Sequence, residues 1–147
     1  MDDLELCRAT GPTISTADLY AAVVLRSQVF VVEQECAYLD PDGRDLKAST
    51  IHLWLRDPSG QIASYLRVLA ESSGGHRIGR VVTAPAHRGR RLSERLIDVV
   101  LADVSRPVVL DAQSHLVAMY ARHGFVPSGP ELVEDGIAHT PMRLQEP

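Results

Sequence analysis

The most constraining stretch of this chain runs from Ile78 to Leu96. It begins as an apolar, β-branched run, Ile78 to Thr83, which predicts a strand. A short turn carrying Pro85 follows, then Arg88-Gly89-Arg90-Arg91. A helical pattern comes next, with Leu92, Leu96, Val99, Val100 and Val104 on one side. A strand, a Gly-bearing loop and a helix opening set a local geometry in which unpaired backbone N–H groups gather at the end of the strand. A helix N-terminus favours acidic side chains, yet three arginines stand there, each opposing the dipole by about 0.3–1 kcal/mol when exposed. An anion among them resolves the conflict. Backbone N–H and guanidinium groups then converge on phosphate oxygens, and Gly89 lets the main chain come close. A solvated basic helix start without a ligand is the alternative that the residue types leave open.

The totals narrow the partners. At 147 residues the chain is long enough to bury a core and predicts one domain, residues 1–147. No apolar run approaches the ~20 residues of a membrane span, and the acidic opening Met1-Asp2-Asp3 lacks the basic region of a signal peptide. Its two cysteines, Cys7 and Cys36, suggest neither a disulfide framework nor a metal site, so a reducing cytoplasm is expected. Net charge is −4, which argues against general nucleic-acid binding, while Arg77, Arg80, Arg88, Arg90, Arg91 and Arg95 crowd one region. A locally basic site on an acidic protein points to a small polyanion. No aromatic platform accompanies the cluster, as single-stranded nucleic acid would require.

In chain order, Leu4 to Ala9 predicts a strand. Ser15 or Thr16 caps a helix with Leu19, Ala22, Val23, Val29 and Phe30 on its apolar face, ending near Val31-Val32-Glu33-Gln34. The polar loop Tyr38 to Asp45 is dense in turn formers. It fails as a calcium loop, because Gly43 falls too early, Arg44 adds a positive charge and no glutamate closes it. Ile51–Arg56 and Ile62–Ala70 predict a hairpin around Asp57-Pro58-Ser59-Gly60, and Ser72 to His76 turns into the Ile78–Thr83 strand. After the helix to about Val104, Pro107 to Ala112 is a buried-type strand. His115 to His123 predicts a helix ended by Gly124. Phe125-Val126-Pro127 and Ala138 to Leu144 close the chain as strands, with Glu134-Asp135-Gly136 as a turn.

The central run resembles the acetyl-CoA-binding segment of the GNAT N-acetyltransferases, a strand followed by Pro-x-x-Arg-Gly-x-Gly-x-Gly/Ala and a helix. Pro85, Arg88 and Gly89 match in place, whereas Arg91 and Ser93 stand where that family usually has small residues. Met119-Tyr120-Ala121-Arg122-His123-Gly124-Phe125 resembles the Tyr-x-x-x-Gly-Phe close of a later helix in the same family. Phe30-Val31-Val32-Glu33-Gln34, Cys36-Ala37-Tyr38, Asp40 to Asp45, Ala112 to Leu116 and Glu134 to His139 resemble its ElaA branch. The resemblance implies a mixed α/β fold, the GNAT acyl-CoA N-acyltransferase fold, with helices flanking a mixed central sheet in which two parallel strands splay apart around the pantetheine arm.

It also implies roles. Acetyl-CoA would lie along the backbone of Val81, Val82 and Thr83, where an N–H polarises the thioester carbonyl. Its pyrophosphate would meet Arg88, Gly89, Arg90, Arg91, Leu92 and Ser93. Tyr120 would act as general acid on the leaving thiolate, a task that suits a phenol still protonated at neutral pH. A base for the acceptor amine is less plainly marked: Glu33 and His52 lead, followed by Asp111 and His139. The implied activity is transfer of an acetyl group to a small-molecule or peptide amine in a ternary complex. Neither Cys7 nor Cys36 has the flanking base of a covalent acetyl-enzyme. No metal is implied. A GNAT-shaped acyl-CoA sensor without turnover remains the rival reading, made plausible by Arg91. A different nucleotide is disfavoured by the absence of Gly-x-x-x-x-Gly-Lys-Ser/Thr and of Gly-x-Gly-x-x-Gly after a strand. Monomer and homodimer both stay open.

Overall fold

The structure, a computed structural model, describes residues 3–146, so Met1 and Asp2 of the acidic opening lie outside the described residues, as does Pro147. Its strands are β1 (Glu5–Thr10), β2 (Ile51–Arg56), β3 (Ile62–Ala70), β4 (His76–Thr83), β5 (Val108–Gln113), β6 (Phe125–Pro127), β7 (Leu132–Glu134) and β8 (Ile137–Leu144). The helices are α1 (Thr16–Arg26), α2 (Leu92–Asp103) and α3 (Val117–Ala121). All eight strands join one sheet in the order β1-β2-β3-β4-β5-β8-β6, with β7 also paired to β8. Strands β1 to β4 form the expected antiparallel meander. The chain then crosses over through α2, as a parallel connection requires, and β5 lies parallel to β4.

The β4–β5 contact is brief. It pairs His76 with Val108 and Arg77 with Val109, and no ladder continues beyond. A bulge in β4 accompanies the divergence. Tyr65 pairs with Val82 and Arg67 with Gly79, so β4 carries one more residue than β3 across this interval. The extra residue includes Arg80, at φ +52°, and such a bulge bends its strand and sharpens its twist. The two parallel strands therefore splay, as the resemblance implied, and the β5-facing backbone of Ile78 to Thr83 is left without a ladder partner.

The sheet buries both faces. On one, Leu53, Leu66, Ile78 and Leu110 meet Leu96 and Ile97 of α2 and Tyr120 of α3. On the other, Trp54, Tyr65 and Val82 meet Ala22, Leu25 and Val29 of the first helix. Burying a side chain of this size contributes about 1.5–3 kcal/mol, and β3, in contact with both layers, is buried from Ile62 to Leu69.

The first helix begins as expected, with Ser15 Oγ accepting from Asp18 N–H at 3.0 Å. Its second half differs: Ser27–Glu33 winds as a π-helix, which widens the turn and shifts Phe30, Glu33 and Gln34 towards the sheet opening, where they line the same cleft. Arg26, at the junction, is wholly buried. Its Nε donates to Asp40 at 2.8 Å and its Nη1 to Asp45 at 2.8 Å. Arg67 of β3, also buried, donates to Asp42 and to Asp45, and Arg80 donates to the Asp40 carbonyl at 3.0 Å. Three arginines and three aspartates thus tie the loop around residues 40–45 to the sheet. The predicted helix His115 to His123 is shorter than expected. A 3₁₀ turn at Ser114–Leu116 precedes α3, and Gly124 at φ +93° ends it.

Candidate active site

The splay opens into a cleft of about 890 Å³. Its walls come from both sides of the sheet. Ser93, Met119 and Tyr120 belong to the α2–α3 layer, and Phe30, Glu33 and Gln34 to the first helix. Val81, Val82, Thr83, Arg88 and Ser93 line it as the sequence expected. Gly89, Arg91 and Leu92 line a smaller adjoining hollow of about 170 Å³ that shares Thr83, Arg88 and Ser93. Arg90 lines neither: its Nη1 donates to His87 Nδ1 at 3.0 Å, leaving His87 Nε2–H to donate to Asp57 at 3.0 Å. Arg90 therefore braces the loop from behind through His87 and the β2–β3 turn.

The loop's backbone explains its departures from the family pattern. Gly89 sits at φ +83° with open space where a Cβ would stand. Arg91, at φ +55°, holds the left-handed conformation that glycine adopts freely. The main chain thus keeps a glycine-like path with an arginine in place, and the N–H groups of the first turn of α2 remain presented to the hollow. Ser93, the other departure, has its hydroxyl 2.9 Å from Thr83 Oγ1, itself 2.9 Å from Ser64 Oγ. This hydroxyl chain ties β3, β4 and α2 together beside the arginine-bearing loop. Glu94, whose charge would repel a phosphate, is engaged by Arg122 and His123, each at 3.0 Å.

Tyr120 is buried, and its hydroxyl has no hydrogen-bond partner among the described residues while its ring lines the cleft. Burial pushes its pKa up to about 12, so it is an O–H donor at neutral pH. Glu33 also reaches the cleft, but both of its carboxylate oxygens accept from Arg88, at 2.8 and 2.9 Å. Those hydrogen bonds hold its carboxyl below the usual range, which weakens it as a base. His52 requires a correction. It is fully buried, does not line the cleft, and uses both ring nitrogens: Nε2–H donates to the Asp45 carbonyl at 2.8 Å and Nδ1 accepts from the Tyr65 hydroxyl at 2.7 Å. Burial lowers its pKa. It is a structural histidine of the buried charge network.

Burial and the neighbouring Glu5 push the Cys7 thiol up to about 11, and the Cys36 thiol donates to the carbonyls of Gln34 and Asp135.

Splayed parallel strands, an arginine- and glycine-bearing loop opening a helix and a buried tyrosine at the gap together narrow the family. Residues 27–146 match the acetyltransferase (GNAT) domain family. The chain belongs to the GNAT family. Among similar proteins, a UPF0039 protein of Mycobacterium tuberculosis is 46% identical over 141 residues, covering 93% of this chain and 90% of that protein. Protein ElaA of Escherichia coli is 37% identical over 138 residues, 88% of each chain. An acyl-CoA N-acyltransferase from Pseudomonas aeruginosa superposes with a TM-score of 0.90 at 39% identity, covering 97% of this chain and all of the other. The E. coli ElaA structure gives 0.87 at 33% identity, with 95% and 99% covered. The ElaA-like reading of the motifs therefore stands, and so does the GNAT fold.

The rest of this GNAT cleft was not foreseen. Arg77, thought to join the anion cluster, instead bonds Glu71 and Asp111, at 2.6 and 2.8 Å. Arg67 also lines the cleft. Its signal was there: a single charge inside the apolar run Ile62 to Ala70 has to be buried with a partner. Gln34 and Gln113 meet across the cleft, the Gln113 amide donating at 3.1 Å. Nothing in the spacing of residues 79 apart announces that contact.

Proposed function

We propose that this GNAT chain, as one domain spanning residues 1–147, transfers an acetyl group from acetyl-CoA to a primary amine by direct attack in a ternary complex. The observation that carries the reading is the meeting, in one cleft, of the unpaired β4 backbone edge with the unpartnered Tyr120 hydroxyl. The acyl donor supplies the activated carbonyl. The chain's own residues do the rest: the first turn of α2, Gly89 and Arg88 hold the pyrophosphate, and the free edge of Val81 to Thr83 aligns the pantetheine amides. A β4 N–H polarises the thioester carbonyl, an interaction on the order of 2.7–4 kcal/mol in comparable sites. Tyr120 O–H donates to the departing sulfur. Arg88 exchanges Glu33 for phosphate, so Glu33 acts as the placeholder of that guanidinium. The Cys7 thiol, raised by burial, and the buried Cys36 favour direct transfer over an acetyl-enzyme, and two unpaired cysteines suit a cytoplasmic setting.

The sensor alternative drew its support from Arg91. The left-handed backbone at that position preserves the loop path, so the substitution is no argument against donor binding.

Thermal unfolding with acetyl-CoA, CoA and ATP, alongside thiol release from acetyl-CoA, tests the reading. A ligand at about 100 times its Kd stabilises by about 2.7 kcal/mol, on the order of 5–10 °C for a chain of this size. A rise with both CoA species and not with ATP, lost in Arg88→Ala, is expected. No rise with either CoA species overturns the reading, and a rise without thiol release in the presence of any amine reduces the chain to a sensor.

A further inference from the structure

The transfer reading leaves one proton unassigned. An acceptor amine arrives as an ammonium ion and must shed a proton before its lone pair can attack. Glu33 is forked by Arg88, Asp111 is held by Arg77 at 2.8 Å, and His52 is sealed in the core. His139 is different. It lies on β8, directly across from Gln113 at the end of β5, and its side chain lines the cleft. Its Nδ1 is 2.9 Å from the carbonyl oxygen of Ile137. A carbonyl only accepts, so Nδ1 carries the hydrogen and the neutral ring keeps its lone pair on Nε2. That nitrogen has no partner among the described residues.

We infer that His139 is the general base of this enzyme, its Nε2 taking the proton of the acceptor ammonium. The inference rests on the transferase reading. Nε2 takes one proton from R–NH₃⁺; the freed nitrogen forms the C–N bond as the C–S bond of the acyl-CoA breaks. The departing thiolate takes the Tyr120 proton, and the phenolate recovers the second proton shed by the nitrogen. Acetyl-CoA and ammonium thus become amide, CoA thiol and one proton, which His139 returns to water at the open cleft. The Ile137 hydrogen bond persists in both charge states and holds the ring in one orientation throughout. The titratable groups that line the cleft from the elements around β8 are Asp111 of β5, His115 of the 3₁₀ turn after it, Glu134 of β7, Asp135 of the β7–β8 turn, Arg77 of β4 and Cys36. Asp111 is already paired with Arg77.

The test has two readouts. Two-bond ¹H–¹⁵N spectra, with the His139 signal assigned by its loss in His139→Gln, report the neutral tautomer: Nδ1–H is expected, and Nε2–H overturns the assignment. Thiol release from acetyl-CoA is then followed from pH 5.5 to 9.5 with propylamine, putrescine and L-lysine as acceptors. Wild-type kcat/KM should rise with pH through a limb that is absent from His139→Gln. In His139→Gln it should fall by about 10²–10⁴-fold at pH 7 and then climb tenfold per pH unit with the free-amine fraction. The CoA thermal shift should be unchanged. A variant with wild-type rate and profile overturns the role of His139 while leaving the transferase reading intact. A wild-type protein that binds CoA but releases no thiol with any of the three amines overturns the transferase reading itself, and the base with it.

Discussion

The role proposed for Tyr120 rests on one oxygen atom. The ring packs edge-on against Phe125, with centroids 6.2 Å apart, so Tyr120→Phe keeps the packing and deletes only the donor. Removing a positioned general acid costs about 10²–10⁴-fold. We expect kcat to drop in that range while the CoA thermal shift stays as in the wild type; an unchanged kcat would mean that the thiolate leaves without help. Arg91 is strained rather than catalytic. A left-handed non-glycine residue costs about 1–2 kcal/mol, of which the added freedom of glycine in the unfolded chain offsets about 0.5–1 kcal/mol. Arg91→Gly should therefore raise unfolding stability by about 0.5–1 kcal/mol, as read by urea denaturation. A loss of stability would show that the exposed guanidinium does more than its contact with Glu94, at 3.8 Å, suggests. That Arg88, Gly89 and Tyr120 line the cleft or its adjoining hollow was legible in the sequence because each sits inside a short motif with its own spacing. His52 misled for the opposite reason: Tyr65 and the Asp45 carbonyl, which occupy its nitrogens, come from separate segments.

Between elements, the buried arginine–aspartate network fastens the loop around residues 40–45 onto β3 and the first helix. Breaking a buried pair by removing one partner typically costs about 3–5 kcal/mol, and Arg26→Met, which takes the buried guanidinium away from Asp40 and Asp45 and leaves them only Arg80, Tyr38 and Arg67, should lose up to that much in chemical denaturation. The network also makes stability depend on pH. Arg67 hydrogen bonds hold Asp42 well below the ordinary carboxylate range. Burial works to raise Asp45, but the bonds and charge of Arg26 override it and lower the group. A carboxylate depressed on folding stabilises fully above its unfolded value, about 3.9, and that stabilisation is lost as pH falls below it. His52, lowered by burial, adds an earlier loss. The unfolded chain takes up a proton below about 6.5 that the buried ring refuses. Unfolding free energies measured from pH 7 to 3 should thus fall in two windows, one beginning near 6.5 and one near 4. Asp42→Asn should flatten the lower window only; an unaltered acid limb would show that Asp42 does not carry it. The strands and α2 were readable from apolar periodicity, and the meander from its turn residues. The π-helical stretch was not, because a run such as Val29-Phe30-Val31-Val32 fits the α and π windings equally well. The bulge at Arg80 was hidden too, since it arises from the register between β3 and β4 rather than from a residue type.

For the whole molecule, the decisive property is the gap in the sheet. The β4 amides facing it lack a ladder partner, so they should exchange with solvent faster than those of β3. Donor binding should slow them, and hydrogen exchange with and without CoA measures this directly; protection confined to α2 would place the ligand outside the gap. The cleft draws its walls from both layers of the sheet, so each layer offers a side from which a reactant could approach. Under the proposed function, an acyl donor entering beside α2 and an amine entering beside the first helix would not block each other's route, and spent CoA would leave without waiting for the amide product. Either reactant can then bind first, and CoA should inhibit competitively against acetyl-CoA but not against the amine.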